Sequence, residues 1–120
     1  ETVRIIKEKG HDIILKRDLN AMLSLFIDKK RMERALEEKD NVKIIEHDKN
    51  ILAGTVKDYS FKINFVDKTI VHDCEDWRKR LSTKQFCKHI GGLFLYLAKD
   101  DAANILIDVI TNIDEWKFQT

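Results

Sequence analysis

Apolar positions in this chain change period twice. Up to about residue 40 they fall at helical spacing. Val3, Ile5 and Ile6 sit among charges and predict a short first helix over residues 2–9, with Gly10 closing it as the residue just past its end. Asp12 is placed to cap a second helix, in which Leu15, Leu19, Met22 and Phe26 share one face at i, i+4, i+7 and i+11. Asp28 caps a third, highly charged helix that carries Met32, Ala35 and Leu36. From Asn41 the period shortens to two. Val42, Ile44 and Ile45 lead into the polar turn His47–Asn50, and Ile51–Val56 return as the second arm of a hairpin. Tyr59, Phe61, Ile63 and Phe65 then alternate with polar residues, and Thr69 to Asp73 run back after the Asp67-Lys68 turn. Past Cys87 the helical period resumes in Ile90, Leu93, Phe94 and Leu97. It continues in a last helix through Ala102, Ile105, Leu106, Val109, Ile110 and Ile113, capped by Asp100 or Asp101.

These elements predict an α+β protein: N-terminal helices, an antiparallel meander of about four strands, and C-terminal helices. With 120 residues, no proline and no low-complexity linker, the chain is expected to form one domain. Within it, residues 1–40 make a helical lobe, 41–99 the meander with the metal site described below, and 100–120 the C-terminal helix. Hydrophobic residues at 43% and charged ones at 36% fit a globular chain with a well-charged surface. No apolar run is long enough to cross a bilayer. A net charge of only +1 gives no global field that would collect nucleic acid, so any such surface must be local. Two cysteines are too few for a disulfide scaffold, which points to an intracellular setting, either cytoplasmic or associated with the nucleoid or nucleus.

Both cysteines and two of the four histidines fall between residues 72 and 89, as His72-x-Cys74, twelve intervening residues, then Cys87-x-His89. Two thiolates and two imidazoles satisfy one tetrahedral zinc ion and leave no open position. Residues two apart share a face on a strand but diverge on a helix, so His72 and Cys74 belong at a strand end. Cys87 and His89 converge only where the backbone turns, as at the start of a helix. The competing reading is four ordinary core residues, since cysteine is among the most buried types. Mirrored pairs, framed by a strand and a helix, favour the metal.

This arrangement resembles the SWIM-type zinc finger: Cys-x-Cys, a variable gap, then Cys-x-His on a strand-strand-helix frame. The likeness covers roughly residues 53–98, from the alternating strand Val56–Phe65 to the helix opened by Cys87-Lys88-His89-Ile90-Gly91-Gly92-Leu93. This chain departs from the pattern at the first ligand, where His72 stands in place of cysteine and Asp73 is the alternative donor. The resemblance implies one structural zinc held by His72, Cys74, Cys87 and His89, and a place in nucleic-acid metabolism. Stand-alone small SWIM proteins look like accessory subunits that pair with RecA-family recombinase paralogues. A protein partner of that kind in DNA recombination and repair is therefore the first expectation.

The residues between the ligand pairs give the second. Arg78, Lys79, Arg80 and Lys84, followed by Lys88, stand in a stretch with no acid between Trp77 and Cys87. As a loop pinned at both ends, they would contact phosphates of DNA or RNA. Trp77 and Phe86 are read as packing over the metal site. A third reading is homodimerisation through the apolar helical ends. Cys87-x-His89 has the residue types of a thiolate nucleophile and its base, but no oxyanion hole, orienting partner or phosphate-cradling loop accompanies it, so the chain is expected not to be an enzyme.

Overall fold

In a computed structural model the described residues are 2–120. Helix α1 (Thr2–Lys16) and α2 (Leu19–Ser24) precede α3 (Lys29–Glu38), and a 3₁₀ turn (Lys39–Asn41) leads into the sheet. Strands β1 (Val42–His47), β2 (Ile51–Val56), β3 (Tyr59–Asn64) and β4 (Thr69–His72) follow as an antiparallel meander. The chain continues through α4 (Glu75–Arg80), α5 (Lys88–Tyr96) and α6 (Lys99–Thr111), and ends in β5 (Lys117–Gln119), which pairs parallel to β4. The protein is thus α+β, with helices before and after, along the chain, the strands of a mostly antiparallel five-stranded sheet in the order β1-β2-β3-β4-β5. No helix among the described residues is long and apolar enough to cross a membrane.

The front of the chain differs from its expected layout. Gly10 does not end a helix; α1 runs through it to Lys16, and the break comes at Arg17, which adopts a left-handed conformation. Gly10 is there for packing, because a Cβ at that position would lie 2.7 Å from Cγ2 of Ile110 on α6. The second cap is Asp18 and not Asp12: its carboxylate accepts from the amides of Asn20 and Ala21. Leu15 consequently drops out of the buried stripe and is 69% exposed, while Met22 and Phe26 are fully buried. Asp28 caps α3 as its position implies, accepting from the Arg31 amide.

In the sheet, alternation places Phe61 and Ile63 of β3 and Ile70 of β4 on the core face. The β3–β4 register sets Phe61 opposite His72. His72, two residues beyond Ile70, therefore inherits the inward side of the strand. A bulge in β1 between Ile44 and Glu46 lets Gly54 come very close to the Lys43 carbonyl, a space no side chain could share.

Helix α5 is buried along most of its length and packs on α3. The glycine pair makes that approach possible. A Cβ on Gly92 would stand 2.9 Å from Cβ of Glu38 and 3.2 Å from the Ala35 carbonyl oxygen, and one on Gly91 would meet Ile27 and Ala35. An aromatic column backs this helix. Phe94 stacks on Phe86, Phe86 on Phe118 of β5, and Phe118 on Trp77 of α4, with centroid separations of 5.4, 5.6 and 5.2 Å.

Candidate metal centre

His72, Cys74, Cys87 and His89 come together at the end of β4 and the start of α5, with donor atoms all within 4.8 Å of one another. All four residues are buried, between 0% and 6% exposed. Among the described residues this is the sole His/Cys/Asp/Glu group so gathered. A tetrahedral ion about 2.0–2.3 Å from each donor needs donor separations of roughly 3.3–3.8 Å, so a small inward movement would close the site.

Each donor is positioned by its backbone. The Nδ1 of His72 lies 2.7 Å from the Ser60 carbonyl oxygen, to which it can only donate. This fixes the tautomer and leaves Nε2 as the bare, electron-pair-bearing nitrogen. Nε2 is buried with no hydrogen-bond partner. A buried polar atom without a partner costs free energy, and a metal ion would remove that cost. The carbonyl-to-imidazole contact is also the usual means by which a ligating histidine is oriented.

Cys74 is the N-cap of α4, and its Sγ accepts from the Trp77 amide at 3.4 Å. Cys87 is the N-cap of α5, and its Sγ lies 4.0 Å from Nδ1 of His89. Both sulfurs therefore face helix amide groups, which favour thiolate. The hydrogen bond from Cys87, helped by the Trp77 amide, holds Cys74 far below the usual thiol range. Burial, and donation to Cys74, push Cys87 well up. The two imidazoles sit 5.4 Å apart, with Tyr59 laid over His89 at 4.5 Å and the edge of Trp77 against His72 at 5.7 Å.

The donor set, the burial and the orphaned Nε2 fit a bound metal ion. Asp73, the alternative first donor, is not part of the cluster. Its exposed carboxylate accepts from Arg78 Nε at 2.6 Å.

The residues between the ligand pairs do not form a loop. They build α4 and a 3₁₀ turn (Leu81–Thr83). The helix has acids in its first turn and bases in its last, with Cys74 as its cap. The five cations are dispersed by local pairing. Lys79 meets Glu75 at 3.2 Å, and Lys88 meets the buried Glu38 at 3.5 Å. Arg80, mostly buried, contacts Asp76, Asp28 and Gln85. Lys84 turns away to donate to the Ile113 carbonyl at 2.7 Å. Trp77 does pack at the site, whereas Phe86 stands one layer back in the aromatic column.

Two supporting residues escaped the motif. Ser60 acts through its carbonyl, which any residue could supply, so no side-chain pattern marks it. Glu38, accepting from Asn41 and paired with Lys57 and Lys88, closes off the start of α5. Burial raises the pKa of Glu38, but the bonds from Asn41 and Lys57 outweigh it and leave the group ionised below its ordinary range. No protein-family model, curated protein or solved structure matches this chain.

Proposed function

We propose that this chain is a non-enzymatic, zinc-binding SWIM-type module that serves as a protein-interaction accessory factor in DNA recombination and repair. The observation that carries the metal part is the buried two-sulfur, two-nitrogen cluster with its unpartnered His72 Nε2. Zinc suits that set better than harder cations such as magnesium or calcium, which take oxygen ligands. When bound, it supplies a four-coordinate cross-link between β4 and α5 and leaves no coordination position for a substrate. The role in recombination rests on the resemblance to stand-alone SWIM subunits, and the partner is then a RecA-family recombinase paralogue inside the cell.

Direct phosphate binding ranks second for a physical reason. Arg78 and Arg80 are taken up by Asp73, Asp76 and Asp28, and Lys84 turns to the Ile113 carbonyl, so a nucleic acid would find no continuous row of open cations. The deciding experiment has two arms. Metal analysis of protein made without added zinc should give about one zinc per chain, falling to near zero in Cys87→Ser. Affinity capture should recover a recombinase-like ATPase, while DNA binding by the chain alone should be feeble and change little in Arg78→Ala/Arg80→Ala. Tight, steeply salt-dependent DNA binding that this double variant abolishes would reverse the ranking.

A further inference from the structure

A pocket of about 290 Å³ opens between α3, α4 and the start of α5, and two of the metal-site residues, Cys74 and His89, line it. The rest of its lining is charged: Arg31, Arg34, Lys79 and Lys88 against Glu75 and Asp76, a net +2. These charges are not equally engaged. Arg31 is consumed by a two-pronged contact with Asp76 and a third bond to Asp28. Arg34 is exposed and has no hydrogen-bond or ion-pair partner among the described residues. Lys79 has only the exposed Glu75, and Lys88 shares Glu38 with Lys57.

We propose that this pocket is the docking site for an acidic peptide segment of the protein partner, a carboxylate side chain seating among Arg34, Lys79 and Lys88 over Cys74 and His89. This rests on the partner reading given above. Three observations favour a peptide over a nucleic-acid strand. The volume holds one or two side chains and not a run of nucleotides. Glu75 and Asp76 would repel a continuous line of phosphates but can accept from the amide groups of a peptide. And Lys84, directed to the Ile113 carbonyl, leaves no basic track by which a backbone could continue.

The pocket also adjoins the proposed metal site through Cys74 and His89. An occupant would shield Cys74 and His89, so binding should slow metal exchange.

The test uses the metal-loaded chain with fluorescein-labelled hexaglutamate and, in parallel, a labelled thymidine hexanucleotide, at about 0.1 M salt. Hexaglutamate should bind at least about tenfold more tightly than the oligonucleotide, and Arg34→Glu/Lys79→Glu should weaken it about tenfold or more with metal content unchanged. Saturating hexaglutamate should also slow zinc transfer to a chelator severalfold, an effect that mere surface attraction would not produce. Equal or tighter binding of the oligonucleotide would make the pocket a phosphate site and overturn the proposal. So would peptide binding indifferent to Arg34 and Lys79. Protein that lacks zinc yet binds hexaglutamate through those residues would refute the metal reading and leave the pocket standing.

Discussion

The two ligand pairs reach the same point by opposite means. His72 and Cys74 arrive on a strand and its exit: β-sheet register turns His72 inward, and a carbonyl from the neighbouring strand holds its ring. Cys87 and His89 arrive at a helix start whose position depends on how closely α5 approaches α3 through Gly91 and Gly92. The first pair is fixed by hydrogen bonds and the second by packing. The site thus draws on two independent sources of order, and disturbances of the two kinds should show different signatures.

The largest effect should come from the ion itself. Stripping the metal with a strong chelator should remove both pairs' common anchor and lower the thermal midpoint by well over 10 °C, on a binding free energy of about 10 kcal/mol. Cys87→Ser should follow, costing about 4 kcal/mol or more in chemical denaturation, because Cys87 is fully buried at the helix cap. Cys74→Ser, at 6% exposure and closer to solvent, should cost less. Equal losses would break the asymmetry argued above.

Packing alone is probed by Gly92→Ala. Better helix propensity gains about 1 kcal/mol, but the new methyl would press on Glu38 and the Ala35 carbonyl, so the net loss should be about 1–2 kcal/mol. Metal affinity should fall with it. Gly91→Ala meets the movable end of Ile27 and, at 3.0 Å, the fixed Cβ of Ala35, with no backbone atom in the way, so it should cost less than Gly92→Ala.

The segment joining the pairs gives a smaller effect. Arg80→Ala removes contacts from a side chain only 16% exposed and should cost about 1–2 kcal/mol, whereas Arg78→Ala, at a solvent-exposed pair, should cost clearly less. Thermal melts of the two variants settle the order.

Smallest is the acid response. The guanidinium of Arg31 holds Asp76 below the usual carboxylate range. The folded state therefore binds that proton less readily than the unfolded chain. Its stabilisation is complete above a pH of about 4 and fades as pH falls through the folded-state value. Asp76→Asn should lower stability at neutral pH and flatten this acid limb in denaturation curves taken between about pH 2 and 6.

Much of the first pair's environment was legible in the chain. Alternation through Phe61, Ile63 and Ile70 is a local signal, and the spacing of four donors is independent of fold. What stayed hidden is non-local. β5 is a three-residue strand whose partner, β4, lies more than forty residues earlier, so no periodicity announces it. Gly10 has the residue type of a helix stop, and only the approach of Ile110 explains why it continues. Helix α4 has no apolar stripe beyond Trp77; it is nucleated by its cap and tied down by the Trp77 indole, which donates to the Gln119 carbonyl at 2.9 Å. A basic run with no visible acid looked free. Its acids are Asp28 at the cap of α3, Glu38 at its end, Asp73, and the first turn of α4.

The position of Trp77 has a practical outcome. Its indole touches the ring of His72, and imidazoles quench indole emission to an extent that depends on whether they are free, protonated or coordinated. On the proposed metal reading, the molecule therefore carries an optical gauge of its own loading state. Titrating zinc into stripped protein should change the tryptophan emission in step with occupancy and saturate at one equivalent, and Trp77→Phe should silence most of that signal while Trp116, buried and farther along the chain, supplies a constant background.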